Sequence, residues 1–326
     1  MKNQNFGMTL IQDKYRESIM HTSEKSVEQG LEYYKSMLQR HSKDRCRQNI
    51  AITAAIVSFC IVIVGCGFGD LGEEGTAALL IILGAIGTVI GGIFVFSIKT
   101  DNNEWENVQS YKTNIIQPLI EEWFEEAVYE QYTDFRGTKV ELLGFIQKKS
   151  RYANFETKDC IRASIDGISF IQMELLQILH IPRHDDKIYY KGTLYDILWE
   201  GNVTADIIIY ANRFSLISKY AKEKPVIAIQ GFGKSEGVFV YSNDKNAVDA
   251  FLTAERIDSM KRFFHFFQKP IAIRITNDHI YIVLEGIYDV FEPQKKDDLD
   301  YDTVRSKVLS NLGLTKRLLQ ALQLNT

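Results

Sequence analysis

Two long apolar runs, at residues 50–68 and 76–98, dominate the hydrophobic pattern of the chain, and neither contains a charged residue. A helix needs about 20 residues to cross a hydrocarbon core of about 30 Å, and both runs have about that length. The segment 69–75 between them is short, acidic and rich in glycine, as in a tight reversal. The pattern therefore predicts a hairpin of two transmembrane helices.

The charges beside the two runs predict the orientation of this hairpin. Arg40, Lys43, Arg45 and Arg47 precede the first run, and Lys99 follows the second. Cytoplasmic loops carry an excess of such cations, so both termini are expected in the cytoplasm. We expect a multi-pass protein of the cell membrane, with the lipid bilayer as a partner and three parts: a cytoplasmic helical segment (1–48), the hairpin (49–99) and a cytoplasmic domain (100–326).

Small residues in the second run form a candidate packing surface. Gly87 and Gly91 make a GxxxG pattern, and Gly84 and Gly92 lie beside it. Such glycines let two helices approach closely. They could join hairpins into a homo-oligomer or pack the two helices of one hairpin. Ionisable residues, which usually mark an ion path through the membrane, are absent from both runs, which argues against transport.

Helical periodicity flanks the membrane runs. A pattern starting at Ser23 predicts a helix that continues to the first run, and residues 103–132 show a second apolar stripe beside a row of glutamates. Pro118 interrupts this stripe and predicts a kink or break just before it, because proline lacks the N–H that a helix interior requires.

Beyond residue 160 the period changes from helical to alternating. Asp166-Gly167 stands between two alternating runs and predicts a β-hairpin. Further strands are expected at 193–200, 203–210, 226–230 and 238–241, followed by a helical stretch at 244–268 that breaks near Thr253. A second hairpin at 271–284 and a final helix at 301–323 complete an α+β fold with a mostly antiparallel sheet and packed helices.

Composition excludes several classes of protein. The 326 residues carry a formal net charge of −4, and 45% of them are hydrophobic, which excludes a disordered chain and leaves no reason to expect a nucleic-acid partner. The four cysteines form no CxxC pair, so neither a zinc site nor a disulfide framework is predicted.

The candidate chemical motifs have simpler structural explanations. Gly233-Lys234-Ser235 resembles the end of a phosphate-binding loop, but the required earlier glycine is missing and a strand follows, which favours a glycine-rich hairpin turn. His180 and His184 flank Pro182, which prevents the helix that would bring them together over a metal. Asp244 is best explained as a helix N-cap.

Several short sequence motifs in the chain resemble those of a known family. The stretch Phe239-Val240-Tyr241-Ser242-Asn243-Asp244, followed by a helix and the hairpin at 271–284, is similar to the domain-of-unknown-function family numbered 3137. Tyr190-Lys191-Gly192 also resembles a motif of this family, and the resemblance extends over about residues 105–295. It implies bacterial proteins with N-terminal membrane helices and a cytoplasmic domain, and it brings no established activity.

The sequence therefore predicts a membrane-anchored cytoplasmic binding or scaffold module rather than an enzyme. No catalytic or cofactor-binding residue is identified, and the partner is an unidentified protein or small molecule. The alternative is a ligand-sensing effector whose transmembrane hairpins associate and perturb the membrane.

Overall fold

The computed structural model of the protein describes residues 4–70, 74–97, 104–131, 139–140, 143–182, 184–201, 203–233, 235–293 and 300–324. The chain forms two compact units. The larger consists of the described residues of Met1–Glu28, Lys112–Pro293 and Asp300–Thr326, and the smaller of those of Gln29–Tyr111.

Helices occur in both units, and a π-helical turn at Lys112–Ile116 separates the third from the fourth. They are α1 (Gln4–Asp70), α2 (Glu74–Ser97), α3 (Glu104–Tyr111), α4 (Gln117–Trp123), α5 (Lys219–Lys222), α6 (Lys245–Phe251), α7 (Ala254–Phe267) and α8 (Tyr301–Leu322).

An antiparallel sheet forms the centre of the larger unit, which confirms the predicted α+β class. In the described residues it has nine strands in the order β1-β2-β3-β4-β9-β8-β5-β7-β6, and each neighbouring pair is antiparallel. The strands are β1 (Glu125–Glu130), β2 (Asn154–Ile165), β3 (Ile168–Leu179), β4 (Lys187–Leu198), β5 (Ile207–Ala211), β6 (Val226–Ile227), β7 (Phe239–Tyr241), β8 (Ile271–Ile275) and β9 (His279–Glu285).

Local turn chemistry fixes the register of the longest hairpin. Asp166 and Gly167 both have positive φ, 51° and 82°, as a two-residue type I′ turn requires. Ile165 therefore pairs with Ile168, and the pairing continues along β2 and β3 to Asn154 opposite Ile178. The predicted hairpin is confirmed.

One face of the sheet is covered by helices. The Nε2 atom of Gln172 on β3 donates to Oδ1 of Asn311 on α8 at 2.9 Å, and the hydroxyl of Thr315 donates to Oε1 of Gln172 at 2.8 Å. All three side chains are buried. Phe124, at the end of α4, packs edge-on against Phe170 of the same sheet face.

The opposite face is covered over only part of its length. Met173, Leu175 and Leu194 are fully buried on this face. They share a hydrophobic cluster with residues from two connecting segments, Val140, Phe145, Ile146, Phe214, Leu216 and Ala221. Alternation along β3 and β4 carries the same face onward to Ile171 and Asp196, where it opens into a cleft.

Capping residues set the limits of the helices near the C-terminus. The side chains of Asp244, Thr253 and Asp300 accept hydrogen bonds from the backbone N–H group of the third residue of α6, α7 and α8, respectively. The predicted break near Thr253 is thus confirmed, because Thr253 starts a new helix. The N-cap predicted at Asp244 is also confirmed.

Two helix predictions are wrong in part. α1 begins at Gln4 rather than near Ser23. The predicted helix at 103–132 ends at Trp123, and the Glu-rich segment Glu125–Glu130 is the edge strand β1, paired with β2. Pro118 does mark an irregularity, since the π-helical turn lies just before α4.

The smaller unit consists of the remaining part of α1 with α2 and α3. Both apolar runs are helical where they are described. The stretch Cys46–Val64 is long and apolar enough to cross a membrane, and only 6% of it is buried. In α2 the described residues give a shorter apolar stretch, Ala78–Ile90. Tyr34 of α1 contacts Tyr111 of α3, with ring centroids 5.1 Å apart.

Candidate functional site

The open end of the partly covered sheet face forms a cleft of about 390 Å³. It lies where β2, β3, β4 and β9 extend beyond the hydrophobic cluster on that face. The cleft is lined by Glu126, Arg162, Ala163, Ser164, Ser169, Phe170, Ile171, Asp196, Leu198 and His279.

Strand register brings the polar residues of the cleft together. Arg162 pairs with Ile171, Ile171 with Asp196, and Asp196 with Tyr281, so one row crosses four strands. The next row toward the strand ends places Ser164 opposite Ser169 and Leu198 opposite His279. Residues that are far apart in sequence thereby share one small surface.

Asp196 and His279 are the central pair of this cleft. Nδ1 of His279 donates to Oδ1 of Asp196 at 2.6 Å, and the Asp196 side chain is only 11% exposed. Burial raises the pKa of Asp196 more strongly than the imidazole of His279 lowers it. The His279 ring also stacks on Tyr281, with centroids 5.3 Å apart. The pair is held in place from two sides.

The charge around the pair is mostly negative. Arg162 is engaged with Glu130 at the rim, with 3.5 Å between Nε and Oε2. Glu126 lines the cleft, and the negative charge of Asp278 adds to the rise in the pKa of Asp196. The arrangement suits a ligand that brings a positively charged hydrogen-bond donor to Asp196.

Apolar groups form the rest of the cleft. Leu198 is 53% exposed, and Ile171 is partly buried on the same face. No hydrogen bond joins His279 to Ser164 or Ser169 in the described structure, so the histidine is not paired with a hydroxyl nucleophile.

A second polar cluster lies on the helix-covered face and is internally compensated. Nζ of Lys112 contacts Oδ1 of Asp159 and Oε1 of Glu292, both at 2.8 Å. Lys158 bonds Glu292 at 2.9 Å and Asp289 at 3.0 Å. Each lysine of this cluster has carboxylate partners at hydrogen-bond distance, so removal of one partner would leave an uncompensated charge.

The structure separates most of the other residues that the sequence singled out. His180 bonds Glu156 and Asp186 on the surface, and His184 lies in a turn beyond Ile181. Residues 228–238 connect β6 and β7, which are paired antiparallel, with positive φ at Gly231 and Gly237. The interpretation as a hairpin turn is confirmed.

The predicted glycine surface of α2 lies against α1 at two positions. A Cβ added to Gly84 would come 2.6 Å from Cγ2 of Val62, and one added to Gly87 would collide with Ser58. The backbone at Gly91 and Gly92 is helical, but their packing lies outside what the structure describes, so their predicted role stays a prediction. Gly84 and Gly87 thus contact the other helix of the same chain.

The Asp196–His279 pair was missed by sequence reasoning. Its signal was faint: Asp196 interrupts an apolar strand pattern, and His279 starts the strand after a predicted turn. Only the register of β4 against β9 shows that the two residues meet, because 82 residues separate them in the chain.

No curated protein matches the chain. One solved structure, the crystal structure of the mycobacterial trehalose monomycolate transport factor A (TtfA), is similar over 61% of this chain and 93% of its own, with 11% identity and a TM-score of 0.31.

A family match supports the resemblance found in the sequence. Residues 206–324 match the family described as "Protein of unknown function (DUF3137)". The matched part starts just before β5 and ends just after α8, so it includes His279 but neither Asp196 nor the membrane runs. The resemblance of this chain to the DUF3137 family is therefore confirmed over residues 206–324.

Proposed function

We propose that the protein is a membrane-anchored binding module whose α+β unit works in the cytoplasm. The observation that carries the proposal is the exposure of Cys46–Val64, a stretch of mean hydropathy 1.8 of which only 6% is buried. A core helix of a soluble protein would be mostly buried. So large an apolar surface, whose one charged residue is Arg47 near its start, is unfavourable in water and favourable in a bilayer.

The second helix completes the proposed anchor. α2 contains the apolar stretch Ala78–Ile90 and contacts α1 through Gly84 and Gly87. A hairpin of both helices would place the two termini on one side of the membrane, and the cations before and after the runs favour the cytoplasmic side.

Cysteine labelling of intact cells tests this topology. In a chain whose four cysteines are replaced by serine, Asp70→Cys should react with an impermeant maleimide, and Asn102→Cys should react only after lysis. The protein should also remain in membranes after carbonate extraction. Extraction by carbonate, or the reverse labelling pattern, would overturn the proposal.

The cleft is the proposed binding site of the module. Asp196 presents a largely buried carboxylate beside apolar walls, in surroundings with excess negative charge. The ligand it fits best is an apolar group that carries a cation, such as an amine or guanidinium, and the module binds it without chemical conversion.

A pair of small probes tests the cleft. Benzamidine carries the cation on an aromatic ring, and benzamide is its neutral counterpart. Ligand-observed NMR on the full chain should show binding of benzamidine and much weaker binding of benzamide. Asp196→Asn should abolish the difference, whereas Asp185→Asn, which alters an exposed carboxylate outside the cleft, should preserve it. Equal binding of both probes to the wild-type protein would contradict the proposal.

A further inference from the structure

A second cavity lies in the smaller unit, between α1 and α2. It is a groove of about 410 Å³, within the range of about 300–1,000 Å³ typical of small-molecule sites. Small residues line it, Ala51, Ala54 and Ser58 from α1 and Gly87 from α2, together with the exposed side chains of Ile50 and Ile90. The lining is therefore almost entirely apolar except at one end.

Arg47 lies at that end of the groove. Lys43, four residues earlier on the same helix, is exposed. Spacings of four, four, three and four residues relate Lys43 to Arg47, Ala51, Ala54 and Ser58. Such spacings place residues on one face of a helix. One stripe of α1 therefore changes from basic to apolar as it enters the groove.

From this stripe we propose that the groove binds one acyl chain of an anionic phospholipid, with the lipid phosphate at Arg47 and Lys43. The proposal rests on the membrane anchoring proposed above. In a bilayer the apolar part of the groove is filled by an acyl chain from the surrounding lipid, so neither the groove nor the chain exposes apolar surface to water. The headgroup is then selected by charge, because cations at a cytoplasmic helix end attract anionic lipids.

The two parts of the groove make different contributions. The small residues admit a chain of either lipid class, so they determine whether any lipid is retained. Arg47 distinguishes the headgroups. Its guanidinium donates several hydrogen bonds to a phosphate, and its positive charge attracts an anionic headgroup more strongly than a net neutral one, in which a cation already balances the phosphate.

Native mass spectrometry of the full chain, released from detergent micelles with added lipid, tests this division. The probes are phosphatidylglycerol, which is anionic, and phosphatidylcholine, which is net neutral. We expect the wild-type protein to retain one phosphatidylglycerol in preference to phosphatidylcholine. Arg47→Gln should lower this preference about fivefold, as expected for one cation near an anionic surface. Arg47→Lys should restore most of it.

A second pair of variants tests the apolar part. Ala54→Leu fills the groove and should remove the retained lipid of both classes. Ala85→Leu, which adds the same side chain at an exposed position of α2 outside the groove, should change neither. Lipid retention by the Ala54→Leu variant equal to that of the wild-type protein would overturn the site.

Three further results would overturn the proposal in distinguishable ways. If a chain that resists carbonate extraction retained both lipids equally, the proposed headgroup selection would be refuted, whereas the proposed membrane anchor would not. A shift from dimer to monomer in the Ala54→Leu variant, with lipid retention unchanged, would mean that a second copy covers the groove. Release of the wild-type chain by carbonate would refute the anchor and the lipid site together.

Discussion

Nζ of Lys112 lies 2.8 Å from Oδ1 of Asp159, and the two side chains are 2% and 0% exposed. Each partner sits at a backbone irregularity. Lys112 begins the π-helical turn that follows α3, and Asp159 has a φ of 52° at the point where the register of β2 against β3 shifts. The bulge turns the Asp159 carboxylate toward the helices, where the hydroxyl of Tyr129 also donates to it at 2.5 Å.

Removal of one partner should therefore be costly. Lys112→Met leaves the Asp159 carboxylate buried without its cation, and we expect the free energy of unfolding to fall by about 3–5 kcal/mol. Chemical denaturation of the full chain in detergent measures this. The double variant Lys112→Met/Asp159→Asn should recover part of the loss, because the buried charge is gone.

A matched control separates this effect from the loss of any lysine. The Lys219 side chain is 91% exposed, so Lys219→Met should change stability by less than about 0.5 kcal/mol. A cost below about 1 kcal/mol for Lys112→Met would mean that water reaches the Asp159 carboxylate.

Local signals in the sequence were sufficient for the Asp166-Gly167 turn and for the helix that begins after Thr253. Asp166-Gly167 specifies its own positive φ values, and Thr253 caps its own helix, so neither depends on distant residues. The segment Glu125–Glu130 shows the limit of such signals. Its glutamates have good helix propensity, yet the segment pairs with β2, because tertiary pairing overrides a weak local preference.

The candidate site was not predictable for a related reason. Asp196 and His279 meet only through the register of β4 against β9, and that register depends on all residues of both strands. The bulge at Asp159 likewise has no local sequence signature. Periodicity shows which residues share a face of an element, but not which elements become neighbours.

The phenylalanines of α7 provide a second test. Phe264 is 5% exposed and contacts Phe232 and Phe263, whereas Phe266 is 55% exposed. Phe264→Ala should lower the free energy of unfolding by about 3–5 kcal/mol, as large core truncations do. Phe266→Ala should cost less than about 1 kcal/mol, mainly from its contact with Arg317. Equal costs in denaturation would contradict the assigned faces of the helix.

Asp206 should make the stability of the protein sensitive to acid. Burial alone would raise its pKa, but hydrogen bonds from Arg274 at 2.8 Å and Tyr220 at 2.5 Å outweigh burial, and the pKa is lowered. A carboxyl whose folded-state pKa is depressed stabilises the protein above its unfolded pKa of about 3.9. That contribution is lost as the pH falls through the lower, folded-state value.

The comparison of wild type with Asp206→Asn measures this contribution. The variant should be less stable at pH 7, and the difference should shrink progressively as the pH falls below about 4. Denaturation midpoints between pH 7 and pH 2 provide the measurement, with the exposed Asp185 changed in the same way, Asp185→Asn, as the matched control. A difference that stayed constant down to pH 2 would mean that Asp206 has the same pKa in both states.

The α2 glycines either pack the two helices of one hairpin or join one hairpin to another. Gly84 is buried against α1, and a Cβ at this position would lie 2.8 Å from the backbone oxygen of Ser58, which cannot move aside as a side chain can. Gly84→Leu should therefore separate the two helices and lower thermal stability in detergent. Overpacking of this kind typically costs about 1–3 kcal/mol. Ala85→Leu places the same side chain one residue further on, at an exposed position, and should have little effect. If the glycines pack the helices of one hairpin, Gly84→Leu reduces stability without changing the mass measured by light scattering. A change from oligomer to monomer with stability preserved would instead assign Gly84 to association between hairpins.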